Sequence, residues 1–299
     1  MGRLGAAVDE VGAFKQESRA DCGVAAVWRP AGFFLANLAI LAFSRLSGAQ
    51  FLSWGWRVPF WLSLVMVGIG LWIRLGILET PIFQKVIAEE RVARAPVIEV
   101  FKHQPKEVFL TAFARMGQMA PIFIYIAFVF PYGMQVVHVS RDVLLVVLQI
   151  GSFFSFFTVL FSGWLSDRLG RKPVYIFGAA ATGLFGFADF AMFDTAILGL
   201  ILLATLIATL FHDLMWGPLA AVTAECFTLR LRYSGASIGF QRAAVFAGGP
   251  ALIIATAILK ATGSGQAIAL YIFGCAIVSV AATAALPSSR DRDFARDHL

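Results

Sequence analysis

The sequence is short of charge, cysteine and histidine, and each shortage excludes something. Only 14% of its 299 residues are Asp, Glu, Lys or Arg, against roughly 25% in soluble domains. Hydrophobic residues make up 59% and mean hydropathy is +0.80. A soluble fold has too much surface to hide that composition, so lipid is the expected solvent. The three cysteines, Cys22, Cys226 and Cys275, lie far apart without a CxxC pair, which argues against a disulfide framework or a thiolate zinc site. The four histidines are equally scattered, and no metal site is expected. There is no Walker A sequence, which argues against ATP-driven work within this chain. Residues 1–28 are polar, with Arg3, Asp9, Glu10, Lys15, Glu17, Arg19 and Asp21, and lack the apolar core of a signal peptide.

What is abundant is long apolar runs. Eight are long enough to cross roughly 30 Å of hydrocarbon, near 29–47, 58–78, 108–130, 143–165, 173–192, 195–222, 235–260 and 266–287. Helices buried on all sides carry little 3.6-residue periodicity, so length and flanking residues define them. The reading is an all-α polytopic membrane protein. The net charge of +6 does not point to nucleic acid, because the basic residues sit in short loops between apolar runs. They cluster on alternate loops. One set holds Lys85, Arg91, Arg94, Lys102 and Lys106, then Arg168, Arg171 and Lys172, then Arg230 and Arg232, then Arg290, Arg292 and Arg296. The other holds little beyond Arg45, Arg141 and Lys260. The positive-inside rule then puts both termini and the long 79–107 connection in the cytoplasm. The expected organisation is a polar segment 1–28, a helix pair 29–78, a cytoplasmic linker 79–107, a six-helix bundle 108–287 and a cytoplasmic tail 288–299.

The most particular motif is GWLSDRLGRK at 163–172, on the basic side between two apolar runs. Gly163 is expected to let two helices approach closely and Asp167 to end a helix. Gly170 would supply a tight turn, and Arg168, Arg171 and Lys172 would hold the loop inside. This segment resembles the cytoplasmic loop signature of the major facilitator superfamily. FLSWGWRVPFWLS at 51–63, LETPIF at 78–83, WGPLAAVTAECF at 216–227 and LRLRYSGASIGFQ at 229–241 resemble the metabolite:proton symporter family within it. The resemblance implies helices 5 to 12 of a twelve-helix fold, with helices 1 to 4 and the first copy of the loop signature absent. A truncated gene, or a start placed inside a longer reading frame, would account for that.

The resemblance further implies secondary transport of a small metabolite across a cell or inner membrane. It implies alternating access with the proton as coupling ion, no other cofactor, and a monomer. It also implies that Asp167 faces the start of helix 5 near Pro30 as a gate. Glu225, at the same end, is expected to pair with Arg168.

Ionisable groups inside spans are costly and mark function by default. Arg115, His212, Asp213 and Arg242 fall inside spans, joined by the polar Asn37, Gln118, Tyr125 and Gln241. Each has a bland alternative. The arginines can snorkel to the interface, and His212 can simply bond Asp213. Asp189 reads as lying toward the outer end of its helix. Arg115, His212 and Arg242 together outnumber the deep acids, which favours an anionic substrate such as a carboxylate, bound by Arg in a bidentate fork. His212, with an unperturbed pKa of about 6.5, is the expected proton-exchanging group beside Asp213.

GASIG at 235–239 fits the G-x-S-x-G elbow of hydrolases. That motif needs a preceding strand and placed acid and His partners. Here it opens an apolar helix and fits small-residue packing through Gly235 and Gly239, so Ser237 is not expected to be a nucleophile. Three classes remain: a transporter of a small organic acid or a zwitterionic osmolyte, a non-transporting remnant of one, and a membrane enzyme, for which no catalytic constellation is present.

Overall fold

The computed structural model describes residues 29–44, 50–51, 53–76, 96–227 and 232–287. The expected polar segment 1–28, the tail from 288, residues 77–95 of the linker and residues 228–231 lie outside them. The described residues are helical throughout, without strands. A 16-residue apolar helix, α1 (Arg29–Ser44), comes first. A span over Ser53–Ile73 follows, most of it the helix α2 (Val58–Gly76). A short amphipathic helix, α3 (Pro96–His103), precedes six long spans. These are α4 (Pro105–Gln135), α5 (Arg141–Leu169), α6 (Arg171–Asp194), α7 (Leu198–Ala224), α8 (Ser234–Thr262) and α9 (Gly265–Ala285). Seven helices are thus long and apolar enough to cross a membrane, where eight were expected, because the described part of α1 is shorter than a full span. The chain is a multi-pass membrane protein.

Local chemistry sets the ends. Pro105 stands at the first position of α4, where its missing N–H costs nothing. Ser140 and Ser264 cap α5 and α9 by accepting from the N–H groups of Val143 and Gln266. Gly170, at φ 100°, makes the turn between α5 and α6, and Gly263, at φ 64°, ends α8. These caps carry α4 to residues 105–135, longer than the apolar run 108–130 suggested.

The six long helices pack in a symmetric pattern. α4 lies against α8 and α9, α7 against α5 and α6, and α6 against α9. Exchanging the triplet α4–α6 for α7–α9 reproduces the same set of neighbours. The two triplets run in opposite directions, as in an inverted repeat. Lipid offers no hydrophobic drive between helices, so close approach at small residues matters instead. A Cβ on Gly178 would come within 3.0 Å of Leu214 and Met215, and one on Gly183 within 2.5 Å of Ala276. Gly235 and Gly239 likewise press on the Phe227 ring and Thr111, while Ser237 is exposed. The G-x-S-x-G run is therefore helix packing.

Two apolar layers fill the bundle. One, at the end carrying the 163–172 turn, includes Val108, Ala114, Tyr175, Met215 and Phe227. The other, toward the opposite end, includes Ile124, Phe128, Leu144, Phe190 and Ile201. Between them, in chain position, fall the buried polar residues Arg115, Gln118, His212 and Asp213. α1 stands beside this bundle. Gln149 of α5 donates to the Phe34 carbonyl at 3.3 Å, and the Phe34 ring meets Phe153 and Phe156 at about 6 Å. Among its described side chains α2 contributes no buried residue, as a lipid-facing helix does.

The motif loop ties three helix ends together. Arg171 pairs with Glu225, at the end of α7, and lies 4.0 Å from Asp167 one turn back. Lys172 donates to the carbonyls of Ala284 at 2.9 Å and Leu286 at 2.7 Å, capping the end of α9. Two expectations are corrected. Glu225 pairs with Arg171 rather than Arg168, whose guanidinium instead stacks 4.3 Å over the Trp164 ring. A Cβ on Gly163 would meet nothing within 4 Å. The close approach there depends on Gly217 of α7, where a Cβ would fall 2.9 Å from the Gly163 nitrogen and 2.5 Å from the Ser162 hydroxyl.

Candidate functional site

Two helices of the bundle are locally unwound, and both distortions trace to proline. In α4, a π-turn at Ile124–Phe128 precedes Pro131, whose ring faces the carbonyl of Ala127 one turn back. In α8, a π-turn at Ala244–Gly248 precedes Pro250. Proline crowds the carbonyl one turn back, and a π-turn absorbs the extra room. Such turns collect at functional sites. α4 is also interrupted at Arg115, and the Ala114 carbonyl there accepts from the hydroxyls of Tyr175 and Ser279 instead.

A cavity with about 910 Å³ of empty space, open mouth included, lies between α1 and helices α4, α5, α6 and α7. Its walls are mostly aromatic and aliphatic. Its polar lining is Arg29, Tyr125, Tyr132, Ser152, Ser155, Asp189, Thr205, Thr209, His212 and Asp213. This is the usual make-up of a small-molecule site, apolar with a few placed polar groups.

At one end the polar groups form a single hydrogen-bonded chain. Arg29 of α1 donates to Asp213 at 2.5 Å, and Ser155 and Thr158 donate to the same carboxylate at 2.6 Å each. His212 Nδ1 lies 3.4 Å from Asp213, and its Nε2 lies 3.3 Å from the Gln118 amide nitrogen. Arg115 donates to the Gln118 carbonyl at 3.3 Å and to the Phe240 backbone carbonyl at 2.5 Å. With His212 neutral and protonated at Nδ1, every donor points the same way, from Arg115 through Gln118 and His212 to Asp213. The Asp213 side chain is fully buried, and a buried charge persists only when paired and hydrogen-bonded. Arg29 also lies 4.4 Å over the Trp216 ring, and its Nε is buried with no partner.

The expected site residues divide accordingly. His212, Asp213 and Tyr125 line the cavity. Arg115 and Gln118 do not, but both connect to it through His212. Arg115 is 1% exposed and sits ten residues into α4, about 15 Å deep, so it does not snorkel. Asn37 is buried on α1 away from the cavity, with its amide nitrogen unpaired. Gln241 is exposed on α8, and Arg242 stacks 4.3 Å over Phe101 of α3. Neither lines the cavity, to which α8 contributes no residue.

The expected excess of positive charge in the cavity is thereby corrected, since among the described arginines only Arg29 lines it and Asp213 neutralises that one. Pro30 lines the cavity too. Its neighbour Arg29 is bonded at the level of Thr158, nine residues or about 14 Å of helix from Asp167, so the expected facing of Asp167 and Pro30 is not the arrangement found. Among the described residues no cluster of His, Cys, Asp or Glu could hold a metal.

Sequence reasoning missed Arg29, which reads as a flank, and Asp189, which reads as an interfacial acid. Asp189 does lie near the end of α6, yet it is 3% exposed and lines the cavity. Ser155 and Thr158 carry no signal in the sequence, since hydroxyls are common in apolar helices.

The sequence profile of the Major Facilitator Superfamily matches residues 31–251. Among curated relatives, the shikimate transporter of Escherichia coli (strain K12) is 32% identical, over 81% of this chain and 56% of the relative. The inner membrane metabolite transport protein YhjE of the same strain is 29% identical over 81% of this chain and 56% of its own length. The glycine betaine/proline/ectoine/pipecolic acid transporter OusA of Dickeya dadantii (strain 3937) is 27% identical, over 73% of this chain and 46% of the relative. No solved structure gives a significant match. The chain spans between 46% and 62% of the length of the curated relatives it matches.

Proposed function

The chain belongs to the major facilitator superfamily, and from that premise we propose that it serves secondary transport of a small carboxylate-bearing metabolite, driven by proton symport. The observation that carries this reading is the cavity between α1 and the bundle, in which Arg29, Asp213 and His212 meet. Arg29 lines that cavity, and its Nε has no partner among the described residues, which leaves the guanidinium a donor to offer a carboxylate. The relative named for shikimate, itself a carboxylate, supports the same class. His212 is the group suited to exchange a proton near neutral pH, and the donor chain from Arg115 fixes its orientation. On the positive-inside rule the 163–172 end is cytoplasmic, and so are both termini. Alternating access would then rock α1 against the bundle, making and breaking the Arg29–Asp213 contact, while the Arg171–Glu225 and Lys172 contacts hold the inner ends of the bundle together.

The test is uptake by the full chain in proteoliposomes under an acid-outside gradient, with radiolabelled shikimate and glycine betaine offered separately. Accumulation of one of them that collapses with a protonophore is the expected result. Uptake no greater than in empty liposomes would overturn the reading. It would favour a second one, a non-transporting chain, to which the lack of buried residues over 58–73 of α2 lends support.

A further inference from the structure

Toward the other end of the cavity two polar groups stand without a hydrogen bond. Asp189 of α6 is 3% exposed and lines the cavity, and among the described residues its carboxylate has neither a hydrogen bond nor an ion pair. The Tyr125 hydroxyl, on the π-turn of α4, is buried and also unpartnered. Tyr125 and Tyr132 both lie close enough to Asp189 to feel its charge. Tyr132 has its own acid, since its hydroxyl donates to Asp194. A buried carboxylate with no partner is among the costliest things a fold can hold, and a protein keeps one where something arrives to pair with it.

The surroundings say what arrives. Phe128, Phe190 and Phe193 line the same part of the cavity. Phe128 stacks on Tyr132 with ring centroids 6.0 Å apart, and Phe190 meets Tyr132 edge-on at 5.3 Å. A carboxylate set among aromatic rings suits an organic ammonium, whose charge the acid takes and whose carbons the rings cover. A small inorganic cation would want several more oxygen ligands than the three that Asp189 and Tyr125 offer between them.

We propose that Asp189 and the Tyr125 hydroxyl, walled by Phe128, Phe190 and Phe193, form a subsite for the ammonium group of a zwitterionic metabolite. This rests on the reading that the cavity receives the transported molecule. The subsite is separate from the Arg29 end. Gly178 of α6 lies opposite Leu214, so Asp189, eleven residues further along an antiparallel pair, is level with residue 203 of α7. That is ten residues, or about 15 Å, from Asp213. A molecule as small as glycine betaine cannot touch both ends at once. The outer subsite therefore reads the ammonium first, and the Arg29 end reads the carboxylate after the molecule moves inward.

The experiment is equilibrium binding of radiolabelled glycine betaine to the purified full chain in lipid nanodiscs, with tetramethylammonium and shikimate as competitors. Betaine is expected to bind, and tetramethylammonium, which has no carboxylate, to compete. Asp189→Asn is expected to weaken both by about tenfold or more, and Asp189→Glu to retain most of the binding. If Asp189→Asn does not remain monodisperse, Tyr125→Phe and Phe190→Leu carry the test, each weakening tetramethylammonium severalfold.

Absent betaine binding overturns the proposal. So does binding unchanged in Asp189→Asn, or in both substitutes. Displacement by sodium chloride as effective as by tetramethylammonium also overturns it, since the site would then take an inorganic cation. Asp189-dependent binding without any uptake defeats the transport reading alone. Proton-driven shikimate uptake with no tetramethylammonium binding defeats this proposal alone.

Discussion

Arg29 and Asp213, 184 residues apart in sequence, are joined by a 2.5 Å ion pair that ties α1 to α7. The pair is asymmetric. Asp213 is fully buried and has Ser155 and Thr158 as further donors, whereas Arg29 keeps about a quarter of its side chain exposed. Removing the arginine strands a buried charge, while removing the acid leaves a cation that can turn toward the open cavity.

That asymmetry sets the first prediction. Arg29→Ala is expected to destabilise the protein in detergent by about 3 kcal/mol, the low end for breaking a buried pair because Arg29 is partly exposed. Asp213→Asn is expected to cost less, and the double variant less than Arg29→Ala alone. Thermal unfolding followed by size exclusion measures all three. Additive losses would show that the two side chains do not act as a pair.

The second prediction concerns the loop motif. Gly217→Ala would push a methyl to 2.5 Å from the Ser162 hydroxyl and 2.9 Å from the Gly163 backbone. A backbone neighbour cannot step aside, so a loss of about 1–3 kcal/mol is expected. Gly163→Ala meets open space, and alanine is the better helix former by roughly 0.5–1 kcal/mol. Melting temperatures should fall for Gly217→Ala and hold or rise for Gly163→Ala. The reverse order would refute the packing drawn here.

How much of this was legible beforehand follows from what a membrane helix hides. The spans were readable because length and hydropathy do not depend on which face points where. The turn at Gly170 was readable because a basic, glycine-bearing break between apolar runs has few other uses. The site was not, because a helix apolar all round gives no periodicity to orient its few polar residues. Arg242 and His212 looked equivalent in sequence, yet one faces Phe101 outside the cavity and the other lines it. Arg115 looked shallow because its helix was begun at 108, and the proline start at 105 sets it deeper. Gly163 drew attention through its motif, while the steric need fell on Gly217, which stood in the WGPLAAVTAECF run without any sign of what it would pack against.

The third prediction separates the two arginines of the motif. Arg171 contacts Glu225 and Asp167, whereas Arg168 lies over Trp164. Arg171 and both its charged partners are partly exposed, so the static stability at stake is at most about 1 kcal/mol. A conformational equilibrium feels that much, since about 1.4 kcal/mol is a tenfold change in population. Uptake rates should therefore change severalfold in Arg171→Gln and in Glu225→Gln, with the double variant no worse than either. Arg168→Gln should stand apart, with its effect adding to that of Glu225→Gln. Double-variant cycles on initial uptake rates decide this, and coupling of Glu225 to Arg168 instead would refute the pairing.

The fourth prediction turns on what His212 can do that glutamine cannot. His212 sits between the Gln118 amide and the Asp213 carboxylate at 3.3 and 3.4 Å. Glutamine at 212 has one donor and one acceptor end and can span the same neighbours, but it cannot take a proton. His212→Gln should then keep the fold and substrate exchange down a concentration gradient, while uptake ceases to respond to an imposed pH gradient. His212→Ala removes the bridge as well, leaving the Gln118 amide nitrogen short of a partner and Asp213 Oδ1 with Arg29 alone, so exchange itself should fall, by about 1–3 kcal/mol of lost hydrogen bonding expressed in rate or stability. The comparison distinguishes a proton carrier from a structural bridge. If His212→Gln still accumulates substrate in proportion to the pH gradient, the proton passes elsewhere, and His212 only holds α4 to α7.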